Sequence, residues 1–258
     1  MQTATTTPPL SRQMASGAPL RAAYRTRLAT TEADLEAAQR LRFEVFNLEL
    51  NEGLDTAYSD GRDRDRFDEC CDHLLVEELA TGSIVGTYRL QTGQLAAVNH
   101  GYYSATEFDF SPYEPLRCEL VELGRACVHR AHRRMNVVNL LWRAIVQYAV
   151  ARNSRYLIGC SSLTSQCAAT GWGMYRRLSA EHLMPEALCT VPRPIFALPD
   201  SEDHLQSEAP PRLLRAYLAL GAKICGPPAL DREFKTIDFL TFLDLEEMSS
   251  AAISHFRS

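Results

Sequence analysis

Lysine is almost missing from this 258-residue chain: only Lys223 and Lys235 stand among its 27 basic residues. A bias of that kind follows genome composition and assigns no function. Uncharged apolar runs of the ~18 residues that a membrane-crossing helix needs are also missing. Residues 1–20 have neither the early basic cluster nor the apolar stretch of a secretory signal. No C-x-x-C pair offers a zinc site. The acids at 60–69 lack the ordered Asp/Asn spacing and central glycine of a calcium loop, so no metal is expected. Gly159-Cys160-Ser161-Ser162 is not the G-x-S-x-G elbow of a hydrolase. A net charge of −5, with no recognised binding motif, argues against a nucleic-acid partner. Eight cysteines, with Cys70 and Cys71 adjacent, do not form a secreted disulfide framework. They read as reduced thiols in the cytoplasm.

What is present is an ordinary globular composition, 46% apolar and 23% charged. Residues 1–24, rich in Thr, Ser, Pro and Ala without apolar period, read as a flexible leader, and 25–250 as one domain. A helix is expected from Thr31, where Thr31 and Asp34 resemble a capping box and Leu35, Ala38, Leu41, Val45 and Leu48 recur at helical spacing. The polar, acidic stretch 51–72 reads as loop. Strands are expected at 73–79 and 84–91 around Thr81-Gly82, with a short one at 108–110 and a long one at 119–129. An amphipathic helix follows at 136–152, with Trp142 and Tyr148 on its core side. A buried strand at 156–160, a helix within 166–178, an excursion with six prolines at 185–211, a helix at 211–220 and a closing strand at 235–245 complete the pattern. Interleaved strands and helices make the class α/β (α+β) with a mixed sheet.

Charge is distributed unevenly. From Arg117 to Arg177 lie ten arginines and two acids; from Glu44 to Glu78 lie twelve acids and three arginines. A basic zone suits phosphate or an acidic protein, and an acidic loop suits a cationic small molecule. Within the basic stretch, Glu119 to His129 alternates cleanly only if a bulge falls at Gly124. Val121, Leu123, Ala126 and Val128 then share one face, and Glu122, Arg125, Cys127 and His129 the other. Next, His132-Arg133-Arg134-Met135-Asn136 leads into a helix whose first N–H groups make a phosphate seat.

Strand, bulge, basic turn and helix, in that order, resemble the GCN5-related N-acetyltransferase (GNAT) fold, a mixed central sheet flanked by helices with a bulged central strand. Leu41-Arg42-Phe43-Glu44-Val45-Phe46, Asp65-Arg66-Phe67-Asp68, Arg89 and Glu122-Leu123-Gly124-Arg125 are similar to the signature of acyl-homoserine lactone synthases. Cys71 to Val76, Tyr103 to Asp109, Leu141 to Ile145, Leu157 to Cys160, Tyr217 to Ala222 and Asp231 to Phe239 resemble the ornithine-lipid N-acyltransferases. The likeness covers roughly residues 30–245. Residues 47–52 lack the Trp of the lactone synthases. Arg133 to Val138 lacks both glycines of the usual CoA pyrophosphate loop. A single phosphate fits it better, so acyl carrier protein (ACP) is the expected donor partner, with no cofactor beyond the 4'-phosphopantetheine thioester that it carries.

The resemblance implies transfer of a long-chain, 3-hydroxylated fatty acyl group to the α-amine of L-ornithine, giving lyso-ornithine lipid and contact with the membrane surface. An attacking amine must lose its proton, and Glu122 is placed to accept it, with Arg125 beside it. Backbone N–H groups freed by the bulge would hold the oxyanion. Arg42, Phe46, Asp65, Asp68 and Arg89 would bind the acceptor: Arg42 and Phe46 from one helix face, Asp65 and Asp68 at its ammonium groups, Arg89 and Arg125 either at its carboxylate or locking the acidic loop. Arg133, Arg134, Asn136 and Val137 would seat the donor phosphopantetheine. Transfer to glycine or tyrosine, or a non-catalytic module docking an acidic protein, are the alternatives.

Overall fold

The computed structural model describes residues 23–201 and 209–248, and the leader expected at 1–24 falls almost wholly outside them. Its end is shorter than expected, because Tyr24 already opens strand β1 (Tyr24–Leu28). Helix α1 (Glu32–Phe43) starts where Thr31 Oγ1 accepts the Asp34 N–H, and Asp34 in turn accepts the N–H of Thr30 rather than that of Thr31. The helix runs on into a wider π-type turn, Glu44–Glu49. Strands β2 (Asp72–Glu78) and β3 (Ile84–Thr92), helix α2 (Gly93–Val98), strand β4 (Leu120–Val128) and helix α3 (Met135–Ala151) follow. Then come β5 (Tyr156–Leu163), α4 (Ala168–His182), α5 (Arg212–Ala219), β6 (Lys223–Ile224), β7 (Ala229–Asp231) and β8 (Thr236–Asp244). Phe108 forms only an isolated bridge to Pro192, so the strand expected at 108–110 does not form.

One sheet runs β1-β2-β3-β4-β5-β8-β6, with β7 also on β8; only the β4–β5 pair is parallel. Alternation sends Leu74, Val76, Tyr88, Leu90 and Val121 under α3, where they pack on Val137, Leu141, Trp142 and Ile145. The opposite face carries His73, Arg89, Glu122 and Cys127 beneath α1 and residues 60–72. Two irregularities shape the centre. Thr87 pairs with Cys127 but Arg89 with Gly124, so Tyr88 stands opposite two residues, and Arg125 takes the left-handed region at φ 49°. The bulge therefore falls one residue after the expected Gly124. In addition, β4 and β5 pair only from Leu120 to Glu122 and then part. At the parting point Gly159 lies so close to the Leu123 carbonyl that an added Cβ would sit 2.1 Å from that oxygen. Only glycine lets the strands meet there and open into a wedge.

Candidate active site

The wedge is filled by a cavity of about 990 Å³. Its walls include Leu123 to Val128 of β4 on one side and Cys160 to Ser162 of β5 on the other. Between α3 and α5 the lining is mainly apolar, with Val138, Leu141, Trp142, Leu213 and Leu214. Trp142 therefore belongs both to the core and to the cavity wall. Through the wedge, on the α1 face, the lining turns polar: Glu52, Arg89, Gln91, Ser104, Glu122 and Asp238. At the rim stand Arg134, Met135, Arg212 and Arg215.

Three arginines and three aspartates lock the 60–72 loop over the polar side. Arg42, fully buried, binds both Asp68 carboxylate oxygens and reaches Asp63 Oδ1 at 3.0 Å. Arg89 Nη1 donates to Asp65 (2.6 Å) and Asp68 (2.9 Å). Arg125 donates to Asp63 (3.2 Å) and Asp65 (2.9 Å) and lies over the rings of Phe234 and Tyr103. Burial alone would raise the Asp68 carboxyl, but Arg42 and Arg89 hold it well below the usual carboxylate range. Arg42, Asp65 and Asp68, expected at the acceptor, each pair with oppositely charged side chains of this same network. Their charges are spent on one another, and Arg42 has no access to the cavity. Arg89 and Arg125 do line it while locking the loop, and Phe46 lines it from the π-type turn.

Glu122 lies on the same face as Arg125, in the cavity wall. Its Oε2 accepts the Tyr103 N–H (2.8 Å) and its Oε1 the Ser104 N–H (2.7 Å). Burial raises its pKa above the ordinary value, against those hydrogen bonds. His129 pairs with Glu44 and His73 meets the Asp68 carbonyl, so neither enters the site. In the basic turn, Arg133 is held by Glu49 and the Val128 carbonyl, whereas Arg134 has no ion-pair partner among the described residues. Asn136 keeps a buried, unpartnered Nδ2. Val137, expected at the donor seat, has its side chain fully buried under the sheet, and its N–H donates to the Arg134 carbonyl.

Further acids, unforeseen in the sequence, lie on the polar side. Burial pushes Glu52 up to about 7, although Thr164 donates to it. Burial, with Asp231 nearby, pushes Asp238 up to about 6. Burial and Asp238 hold Glu107 well above the carboxylate range. A folded-state pKa above the unfolded one means that the native state keeps protons the unfolded chain has released, so stability falls as pH rises between the two values. For Glu52 that window runs from 4.5 to about 7. Glu52→Gln is therefore expected to gain up to about 3 kcal/mol on wild type between pH 4.5 and pH 8, read from urea unfolding at both pH values. An equal pH dependence in both proteins would contradict the assignment.

Comparison with known proteins agrees with this geometry. The acetyltransferase (GNAT) domain family matches residues 41–143. The AHL synthase LasI superposes with a TM-score of 0.52 over 89% of this chain and 94% of its own, at 14% identity. FeeM, an N-acyl amino acid synthase from uncultured soil microbes, gives 0.54 over 89% and 96%, at 11% identity. Likeness at such identities is one of fold. Fold, wedge and sequence relatives together define an N-acyltransferase of the GNAT fold, and not a non-catalytic docking module. The L-ornithine N(alpha)-acyltransferase of Brucella abortus (strain 2308) is 34% identical over 257 residues, covering 89% of this chain and 87% of that protein. Its counterpart in Agrobacterium fabrum (strain C58) is 33% identical, covering 90% and 84%. The chain belongs to the L-ornithine N(alpha)-acyltransferase family.

Proposed function

We propose that this enzyme moves a long-chain 3-hydroxy fatty acyl group from acyl-ACP to the α-amine of L-ornithine, forming lyso-ornithine lipid. A cavity that crosses the sheet carries this reading: one end is apolar enough for an acyl chain, and the other carries acids for an amine. The thioester carbonyl lies in the wedge. There, β4 beyond Glu122 has no β5 partner, and the N–H groups around the Arg125 bulge stabilise the oxyanion. Glu122 takes one proton from the α-ammonium; nitrogen attacks the carbonyl carbon, the C–N bond forms, the C–S bond breaks, the second nitrogen proton passes to the departing sulfur so that phosphopantetheine leaves as the thiol, and Glu122 returns its proton to solvent. The amphiphilic product leaves toward a membrane surface.

The donor approaches the rim. Met135 and Asn136 present the first N–H groups of α3, without partners among the described residues, to the phosphopantetheine phosphate. Arg134, Arg212 and Arg215, with no ion-pair partner among the described residues, bring positive charge suited to an acidic carrier protein. Arg212→Glu with Arg215→Glu is expected to lower the preference for acyl-ACP over the matching acyl-pantetheine by about tenfold, through KM. The check is steady-state kinetics with both donors at two salt concentrations. An unchanged preference would refute carrier-protein docking at this rim.

A further inference from the structure

We propose that Glu107 and Asp238 form the subsite for the second, side-chain ammonium of a diamino-acid acceptor, a reading that rests on the ornithine assignment above. Neither residue has a part in the reaction described above, although Tyr103 and Ser104, close to Glu107 in the chain, hold Glu122. Both side chains are buried, 0% and 3% exposed, and each keeps one carboxylate oxygen, Glu107 Oε1 and Asp238 Oδ1, without a hydrogen-bond partner. One ligand atom from each and Cys160 Sγ lie within 4.8 Å of one another. The two acids also hydrogen-bond to each other, and burial beside Asp238 keeps a proton on Glu107, so the pair carries one buried negative charge with no cation paired to it among the described residues. Arg125, the neighbouring cation, is committed to Asp63 and Asp65. Asp231 is not free either: it accepts the N–H groups of Glu233 and Phe234 and the Tyr103 hydroxyl.

An ammonium brings three N–H donors and one positive charge, which is what the two unpaired oxygens lack. Its placement also suits the reaction. Ser104 donates its N–H to Glu122 while its Oγ meets Cys160 Sγ at 3.5 Å, and that sulfur meets Glu107 Oε2 at 3.7 Å. One serine thus separates the acid that faces the reacting α-amine from the pair that would hold the distal one. Asp238, Cys160 and Ser104 all reach the cavity wall. By contrast Asp65 and Asp68, the acids that sequence reasoning assigned to this task, are already neutralised by arginine.

The test compares L-ornithine with L-norvaline, which has the same carbon chain without the second amine, in the full-length enzyme with one acyl donor. Glu107→Gln combined with Asp238→Asn is expected to lower the ratio of kcat/KM for ornithine over norvaline by about 30-fold or more, chiefly through KM for ornithine. The ratio is independent of the fraction folded, and the Asp238→Asn single variant, expected to shift it in the same direction, guards against a misfolded double variant. An unchanged ratio, whether both rates fall together or neither moves, overturns the subsite. So does loss of ornithine transfer on dialysis against EDTA with recovery on adding a divalent ion, which would assign these atoms to a metal. Wild type that acylates norvaline or another amino acid but not ornithine would instead overturn the ornithine assignment itself.

Discussion

Glu122→Gln is expected to lower kcat for acyl transfer by about 10²–10⁴-fold, the range over which a positioned general base contributes. The amide cannot take a proton from the acceptor's α-ammonium, whereas the carboxylate lines the wedge in which the proposed mechanism places the thioester carbonyl. A structural effect of the same substitution is separable. Both Glu122 oxygens accept backbone N–H groups, from Tyr103 and Ser104, and a glutamine can satisfy only one of them. Leaving the other donor unmet costs about 1–3 kcal/mol, visible in the melting temperature. The pH profile distinguishes the two effects. Burial raises the Glu122 pKa, so wild-type kcat climbs as pH rises through that raised value. In the glutamine variant this limb disappears. A variant that loses stability yet keeps both its limb and most of its kcat would make Glu122 a clamp for the Tyr103–Ser104 turn, and not the base.

Arg42→Met is expected to cost about 3–5 kcal/mol of folding stability, the usual consequence of removing one partner from a buried ion pair. Methionine fills much of the space, so the loss is one of charge and hydrogen bonds. Asp68 loses its bidentate partner and Asp63 its contact at 3.0 Å, in a region sealed from water. Adding Asp68→Asn to Arg42→Met should recover part of the loss, because the carboxylate left uncompensated is then gone. Urea unfolding of the single and double variants measures both effects. A cost below about 1 kcal/mol, typical of exposed pairs, would show that the network does not hold the loop. Through Arg89 and Arg125 this network reaches the cavity wall, so its loss is also expected to raise KM for the acceptor.

Much of the fold was legible because its signals are local. The apolar stripe of α3 and the Thr31 cap of α1 depend on neighbours only a few residues away. The β4 bulge was legible as a broken alternation. Its position slipped by one residue because moving the extra residue from Gly124 to Arg125 leaves the same side chains inward. Strand β1 was missed: in Tyr24-Arg25-Thr26-Arg27-Leu28 the two arginines look like a solvated leader until β2 brings Glu77 beside them. The site was legible as a set of residues but less so in its roles. Arg42, Asp65, Asp68, Arg89 and Arg125 were all singled out, yet nothing in a linear sequence tells a charge that meets substrate from one that meets its opposite across 20 or more residues. Glu52, Glu107 and Asp238 were given no role from the sequence. A signal did exist for Asp238, an acid set between Ile237 and Phe239 in the apolar closing strand, and for Glu107, just before Phe108 and Phe110.

Transfer of a fatty acyl group to ornithine by this chain has a direct chemical signature, a new N-acyl lipid. Mass spectrometry of lipids from a heterologous host that expresses it, beside a host expressing Glu122→Gln, tests that transfer most directly. The expected result is a new N-acyl species in the wild-type extract alone, whose fragment ions give ornithine and a 3-hydroxy acyl chain. Folded protein that yields no N-acyl amino acid, even with acyl-ACP and ornithine supplied, would contradict it.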